Sequence, residues 1–357
     1  MRKIFLCEKG DKKMDSNKKK IFVGILVIFI CTLAFYFFYW IKTPTYSLNL
    51  IREAVQKHDV TSFEKHVDMD TLYTKAFDDA LVAYDKIEGT NMLSNPLAAG
   101  FIQMLKAPTV SALKNQTIEA VKGENLTENQ GESDAANFAK GVKYKSGVID
   151  SIIKDASVIS KETNEAVVAI TLHNAKIDKD FIMNVKMSKL DDGTWKIKEI
   201  TNLVNFLIDV DKAEKEKLAA LDAPIKEKIY EAIQLTNGRS NIRNVGSYFP
   251  SYVFDSGLKV KNISRKTIKN VKAYILIVRK ADKKVLHSSP LLESGPIAVG
   301  SEYEFSDSFS INEFKDEHEA ILNGSRETQQ VGLKPMYVEF DDGSSLVRPT
   351  QLPEPTK

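Results

Sequence analysis

Cysteine is almost absent from this chain. Its two cysteines, Cys7 and Cys31, both lie near the start, so residues 42–357 can form neither a disulfide nor a thiolate metal site. Glycine and proline are also few, at 17 and 11 of 357 residues, which excludes a collagen-like chain. With 43% apolar and 27% charged residues, the composition predicts a folded protein.

An excess of charge of either sign is missing as well. The chain has 50 Lys and Arg residues against 48 Asp and Glu residues, and the resulting net charge of +2 argues against nucleic acid as a partner. The charge is unevenly distributed, because residues 1–20 carry +5 and residues 42–357 carry −3.

The motifs of common catalytic sites are also missing. The sequence contains no Gly-rich phosphate loop, no His-Glu-x-x-His and no Gly-x-Ser-x-Gly. Ser-x-x-Lys occurs five times, but without the Ser-Asp-Asn or Lys-Thr-Gly partners of penicillin-recognising enzymes. We therefore predict no catalytic residue, no cofactor and no metal site.

One long apolar run is present. Ile21–Ile41 has no charged residue over 21 positions. At about 1.5 Å per residue, a helix of this length spans roughly 30 Å, the thickness of the bilayer's hydrocarbon core. The run predicts a single transmembrane helix that contacts the lipid bilayer. The competing interpretation is a cleaved signal peptide, whose apolar core is usually about 7–15 residues long and ends in small side chains.

The flanks of this run predict its orientation. Residues 1–20 form a basic tail that ends in Lys18, Lys19 and Lys20, and the positive-inside bias places this tail in the cytoplasm. An aromatic cluster that includes Tyr39 and Trp40 lies at the other end, as at a membrane interface. We predict a single-pass protein of a bacterial cell membrane, with its bulk outside the cytoplasm.

Residues 42–206 combine helical and strand patterns. Apolar residues recur at helical spacing from Leu48, and Asp70 is expected to cap a later helix. Gly123–Asn137 is polar and predicts a loop. Beyond it, Phe181–Met187 alternates at the period of a strand, and Asp192-Gly193 predicts a hairpin turn. Helices followed by strands predict an α+β domain with helices on one face of an antiparallel sheet.

The remaining sequence predicts a helix and a second domain. Residues 207–238 are expected to form a connecting helix that is kinked or split at Pro224, although a coiled-coil partner site stays open. Residues 239–348 predict an antiparallel β-sandwich, because Val271–Ile277 is apolar on both faces, as in a central strand. Residues 349–357 predict a flexible tail.

The first domain resembles a known family. The matching residues lie in Thr45–Leu81, with Tyr46-Ser47-Leu48, His58-Asp59 and Asp78-Asp79, and in a closing Gly193-x-Trp195-x-Ile197 strand. They resemble the bacterial domain of unknown function 2939 over about residues 42–206. The resemblance implies a cone-like α+β fold, similar to nuclear-transport-factor-two-like domains, and implies no activity.

Residues 257–345 resemble the bacterial small β-sandwich named for the motif Phe-x-Leu-Tyr-Asp. Val260-Lys261-Asn262, the turn at Gly295-Pro296-Ile297 and the hairpin at residues 339–343 match that domain. The motif itself reads Tyr274–Val278 here and departs at its last two positions.

Two functional hypotheses follow. The first is a non-catalytic binding or scaffolding module of the cell envelope, which engages an envelope protein or a wall polymer. The second is a small-ligand sensor or an enzyme that uses the concave pocket of the cone-like domain, with His173, Asn184 and Lys186 as pocket residues. His58 and His66 lie near aspartates and could pair with them for proton transfer, or simply flank helix-capping aspartates.

Overall fold

The computed structural model divides the chain into two units. It describes Ile25, Val27, Ile28, Cys31, Thr32, Phe35, Tyr36 and residues 39–89, 92–123, 151–236 and 238–354. The first unit extends to Ala213 and includes Glu354, and the second comprises Glu214–Pro353. The predicted tail 1–20, residues 124–137 of the predicted loop and residues 355–357 lie outside the described residues.

The α-helices between residues 44 and 122 of the first unit are capped by side chains at their N-terminal ends. After a 3₁₀ helix at Trp40–Lys42 come α1 (Pro44–Gln56), α2 (Val60–His66), α3 (Met69–Glu88) and α4 (Pro96–Lys122). The predicted cap at Asp70 is wrong, because Asp68 occupies that position and its Oδ1 accepts a hydrogen bond from the Thr71 N–H at 3.2 Å. An aspartate directly before the first helical residue satisfies an otherwise unpaired N–H group.

The strands of this unit form one antiparallel sheet in chain order. They are β1 (Ser151–Lys161), β2 (Glu165–Asn174), β3 (Lys179–Lys189) and β4 (Trp195–Ile200). The predicted hairpin turn between β3 and β4 is confirmed, with Gly193 at a φ of 86°, a conformation that favours glycine. This unit is therefore α+β, as predicted.

Trp195 of β4 is hydrogen-bonded to residues near the start of the first unit. Its side chain is fully buried, and its indole Nε1–H donates to the Lys42 carbonyl at 2.9 Å. Its backbone N–H donates to Ser47 Oγ at 2.9 Å, and His66 Nδ1–H donates to its carbonyl at 3.1 Å. Backbone groups at the edge of the sheet are thus satisfied by the helical segment.

A long helix passes from the first unit into the second. This helix, α5 (Leu203–Ala232), is a single helix with Pro224 inside it, so it is not split there, and the predicted kink stays a prediction. The strands that follow are β5 (Ile233–Leu235), β6 (Arg239–Asn244), β7 (Tyr252–Asn262), β8 (Ile268–Arg279), β9 (Val285–Ser288), β10 (Leu292–Glu293), β11 (Glu302–Ser310), β12 (Gln329–Phe340) and β13 (Ser345–Val347), with α6 (Asp316–Leu322) between β11 and β12.

These strands form two antiparallel sheets. In one, β7 pairs with β11 on one side and with β5 and β6 on the other; in the second, β8 and β12 are central. Their common core contains side chains from both sheets, including Val260, Ile275 and Phe305. Ile229 and Ala232 of α5 belong to the same core, so the unit fits the predicted β-sandwich only loosely.

The predicted transmembrane helix at Ile21–Ile41 is wrong, and with it the predicted single-pass membrane localisation. Among the residues that the structure describes, no helix combines the length and the apolar character that a bilayer span requires. The two longest helices, α4 and α5, carry charged side chains along their length. Tyr39 and Trp40, predicted to lie at a membrane interface, are 59% and 44% exposed, and Lys18, Lys19 and Lys20 lie outside the described residues.

The burial of Trp195 generates a stability prediction. Replacing Trp195 with alanine removes a fully buried side chain, and we expect it to lower the free energy of unfolding by about 3–5 kcal/mol. The control is Trp40→Ala, because Trp40 is 44% exposed and its removal should cost less than about 0.5 kcal/mol. Urea unfolding followed by circular dichroism measures both values. Equal costs for the two variants would contradict this account of the packing.

Candidate functional site

The three predicted pocket residues lie on one face of the first sheet. Strand pairing places Lys186 opposite Val167, Asn184 opposite Ala169 and Asp180 opposite His173. Along β3, the residues of this face alternate with residues of the opposite, buried face, which are Phe181, Met183, Val185 and Met187. The predicted residues therefore share a face, and it is opposite to the one that forms the apolar interior.

Two of these three residues contact a carboxylate. His173 Nδ1 lies 2.6 Å from Asp180 Oδ1, and Lys186 Nζ lies 2.9 Å from Glu165 Oε2. Asn184 Oδ1 is buried and has no hydrogen-bond partner within the described part of the chain. The pair with Glu165 raises the pKa of Lys186, so this amine stays protonated and is unsuited to act as a base. A cavity of about 430 Å³ in this unit is lined by residues of α3 and α4 and by none of the three.

The other histidines of this unit serve the backbone. His66 is buried and donates a hydrogen bond to the Trp195 carbonyl. His58 Nδ1 lies 2.9 Å from the Val121 carbonyl oxygen. Neither ring is hydrogen-bonded to a carboxylate in the described residues, and no group of three His, Cys, Asp or Glu residues there could hold a metal ion. The hypothesis of a His/carboxylate pair therefore has no geometric support.

A different feature stands out in the second unit. Two loops at one end of its first sheet carry side chains that are almost completely exposed: Tyr248 at 96%, Phe249 at 84% and Phe314 at 99%. Val245, at the base of the first loop, is 51% exposed. We call these four residues the aromatic end.

Strand pairing brings the two loops together. β7 begins at Tyr252, where it pairs with Asn244, the last residue of β6. On its other side, the Tyr252 carbonyl accepts a hydrogen bond from the Ile311 N–H at 2.8 Å, directly after the end of β11. The loop after β6 and the loop after β11 therefore leave the sheet at the same end.

Asparagine side chains hold the backbone of both loops. Asn244 Oδ1 accepts hydrogen bonds from the Gly246 and Ser251 N–H groups, at 3.0 and 3.3 Å. Asn312 Oδ1 accepts a hydrogen bond from the Phe314 N–H at 3.0 Å. Both are local turns of the kind that Asn side chains stabilise. A Cβ at Gly246 would lie 1.8 Å from the Phe249 carbonyl, so the first loop requires glycine there.

Two histidines lie beneath the aromatic end. His287 of β9 stacks on Phe309 of β11 with ring centroids 3.6 Å apart, and its Nε2–H donates to Asp307 at 3.1 Å. His318 of α6 lies 5.2 Å from the Phe309 ring, and its Nδ1 accepts a hydrogen bond from the Asn312 N–H at 2.9 Å. Burial, followed by the charges of Lys315 and His287, lowers the pKa of His318.

The charge around this end is predominantly negative. Glu313, Asp316 and Glu319 have no ion-pair partner within the described residues, whereas Glu317 pairs with Lys284 at 3.0 Å. Arg243, which precedes the first loop, is paired with Asp255, and this contact lowers the pKa of Asp255 to about 2. The guanidinium of Arg243 is thus already neutralised.

Several basic residues elsewhere in this unit are also paired with carboxylates. Lys266 pairs with Asp342 and Lys269 with Glu339, at 2.5 and 2.6 Å, and Arg279 pairs with Asp282 at 2.8 Å. A surface of paired charges offers little net attraction to a polyanion.

Sequence reasoning missed the aromatic end. The available signal was Val-Gly-Ser-Tyr-Phe-Pro at residues 245–250, in which two adjacent aromatics stand between turn-forming residues and outside any strand alternation. Phe314 gave no such signal, because it follows Ile311 in a segment that reads as the amphipathic start of a helix.

Comparisons with known proteins do not place this chain in a family. No family model matches it, and no curated protein matches it. Solved structures similar to parts of it include a structural-genomics target designated SoR45, at 11% identity and a TM-score of 0.21, over 35% of this chain and 90% of that one. Another is the putative ApaA protein from Bordetella pertussis, at 13% identity and a TM-score of 0.20, over 32% of this chain and 86% of that one. At these TM-scores neither similarity supports an inference, and the two family resemblances of the sequence stay predictions.

The two asparagine turns generate a prediction for limited proteolysis. Asn244→Ala removes the acceptor for two N–H groups of the first loop. We expect chymotrypsin to cleave after Tyr248 about fivefold faster or more, because two hydrogen bonds worth about 0.5–1.5 kcal/mol each are lost. Asn312→Ala is the matched variant and should accelerate cleavage after Phe314 alone. Mass spectrometry identifies the sites, and equal acceleration of both sites in either variant would refute separate control of the loops.

Proposed function

We propose that this protein is a non-catalytic binding module whose aromatic end docks into an apolar pocket of a protein partner. The observation that carries the proposal is the near-complete exposure of Tyr248, Phe249 and Phe314 on two loops that leave the same end of one sheet. Single exposed apolar residues are ordinary, but a cluster of fully exposed aromatics is characteristic of interaction sites.

The energetics of aromatic anchors support this function. A Phe or Tyr side chain buries about 150–250 Å² when it enters a pocket, and aromatic residues are enriched among those that dominate binding energy. The turns at Asn244 and Asn312 hold the loops before a partner arrives. Ordering the loops in advance reduces the entropy lost on binding.

The surrounding charges indicate the chemistry of the partner. Glu313, Asp316 and Glu319 lie close to Phe314 in the chain, have no ion-pair partner within the described residues and outweigh the single positive charge of Lys315. A pocket rimmed with Lys or Arg would complement them and increase the association rate. The same acidic groups disfavour an anionic lipid surface as the occupant.

No observation favours the alternative of a small-ligand sensor or enzyme in the first unit. His173 and Lys186 are engaged with carboxylates, and the opposite face of β3 is filled by Phe181 and Met side chains. A ligand pocket combines a cavity with convergent polar groups. His173, Asn184 and Lys186 do not line the cavity described in this unit.

Site-specific crosslinking tests the proposal. A photoreactive phenylalanine at position 249 or 314 of the full chain should crosslink to one and the same protein in cells of the source. The control position is Val299, which is 55% exposed. The next residue, Gly300, donates its N–H to the carbonyl of Asn262, the last residue of β7, so Val299 lies at the opposite end of that strand. The captured protein is then purified and its affinity for the unlabelled chain is measured.

We expect Phe249→Ala and Phe314→Ala each to weaken that affinity about 30-fold or more, because an anchor residue contributes about 2 kcal/mol or more. Val299→Ala should leave it unchanged. The proposal is overturned if positions 249 and 299 capture the same products, or if neither Phe substitution changes the affinity. It is equally overturned if the chain binds neutral phosphatidylcholine vesicles through Phe249 and captures no protein.

A further inference from the structure

The hydrogen bond between Asn312 and His318 depends on the protonation state of the histidine. His318 Nδ1 accepts the Asn312 N–H at 2.9 Å, which requires Nδ1 to carry no proton. Protonation of the ring would place an N–H group opposite another N–H group. The hydrogen bond would then be lost, and the two donors would repel each other.

The same bond fixes the position of Phe314. Asn312 is held by His318 through its backbone N–H, and in turn it accepts the N–H of Phe314 through Oδ1 and the N–H of Lys315 through its carbonyl, both at 3.0 Å. Releasing Asn312 therefore releases the turn that carries the exposed ring. Phe314 itself is 99% exposed and has no packing of its own to hold it.

The charged and titratable groups that face His318 come from several elements. Lys315 and Glu317 lie on or next to its own helix, His287 comes from β9, and Asp307 pairs with His287 from β11. Lys284, before β9, neutralises Glu317. Lys315 and His287 disfavour a proton on His318, whereas Glu317 favours one.

We propose that His318 is a pH-sensitive latch: neutral His318 holds the loop at residues 311–315 in place, and its protonation frees Phe314 and weakens docking. The regulatory part of this proposal rests on the proposed function of the aromatic end. The latch itself is a property of the isolated chain and can be tested without a partner.

The direction of the pH dependence follows from the lowered pKa of His318. Opening the loop removes the Asn312 N–H from Nδ1, so the ring then takes up a proton at a pH closer to the ordinary value of 6.5 than it does when the loop is closed. The closed loop therefore keeps its full stability above pH 6.5. It loses stability as the pH falls from 6.5 toward the lower pKa of the closed form, by up to about tenfold in the opening equilibrium per pH unit.

Hydrogen exchange of the full chain tests the latch. The protection factors of the Asn312, Phe314 and Lys315 amides, corrected for intrinsic exchange, should fall with pH in this window. Protection at Ile275 in the central strand β8 should not change, because that side chain is fully buried in the core. Histidine NMR signals give the pKa of His318 in the same samples.

Two variants separate the latch from a merely structural contact. His318→Gln cannot titrate near neutral pH, so the protection at residues 312–315 should be independent of pH, whether or not the glutamine holds the loop. Lys315→Gln removes one charge that disfavours protonation, so the pKa of His318 should rise and the total loss of protection should shrink.

A pH-dependent loss of protection that persists in His318→Gln overturns the proposal, as does a His318 pKa that is unchanged in Lys315→Gln. If the exchange results hold but the crosslinking experiment captures no partner, the latch stands and the docking function fails. If a partner is captured whose affinity is the same at pH 7.5 and 5.5 while exchange changes, the latch does not regulate docking, and that part of the proposal fails.

Discussion

The pairing of β7 with a strand on each side is the constraint on which the second unit's surface depends. Where β7 begins, Tyr252 lies opposite Asn244 of β6, and its carbonyl accepts the N–H of Ile311 after β11. This places the ends of two strands that are more than 60 residues apart in sequence side by side. The register is fixed by burial, because Leu258 and Val260 of β7 and Phe305 of β11 point into the common core, and a slip of one residue would expose them. The aromatic end is thus a consequence of core packing that takes place further along the same strands.

The two units use their polar groups differently. In the first unit, buried polar contacts such as those of His66 and Ser47 satisfy the backbone at Trp195, and on the exposed face of the sheet His173 and Lys186 each contact a carboxylate. Exposed ion pairs contribute little to stability and offer no open coordination for a ligand. In the second unit, His318 and Asn312 hold the loop that carries Phe314, whose side chain is almost completely exposed. An arrangement that leaves a large aromatic ring in water costs solvation free energy, and a partner that covered the ring, as proposed, would recover this cost.

Local sequence patterns predicted the type of secondary structure better than the exact residues at which each helix begins or ends. The α+β character of the first unit, the alternation along β3 and the turn at Gly193 follow from periodicity and from the backbone freedom of glycine. The helix cap shifted from Asp70 to Asp68, because both are aspartates near a helix start and only the backbone geometry selects between them. Pro224 was expected to kink or split a helix; α5 is not split there, and Ile229 and Ala232 beyond Pro224 belong to the core of the second unit. The span predicted at Ile21–Ile41 rested on local hydropathy alone, and the described residues contain no helix of that kind.

The sequence by itself indicated the order of helices and strands in the first unit and showed that no recognised catalytic motif is present, since both depend on residue types at short spacing. Only the tertiary structure decided where functional side chains meet. His173, Asn184 and Lys186 share a sheet face, but it is the face away from the apolar interior, because the register of β2 and β3 sets which alternate residues are buried. Phe249, Phe314 and His318 belong to different loops and a helix, and strand pairing across dozens of residues brings them to one end. Exposure and proximity are properties of the packed chain, and no local pattern encodes them.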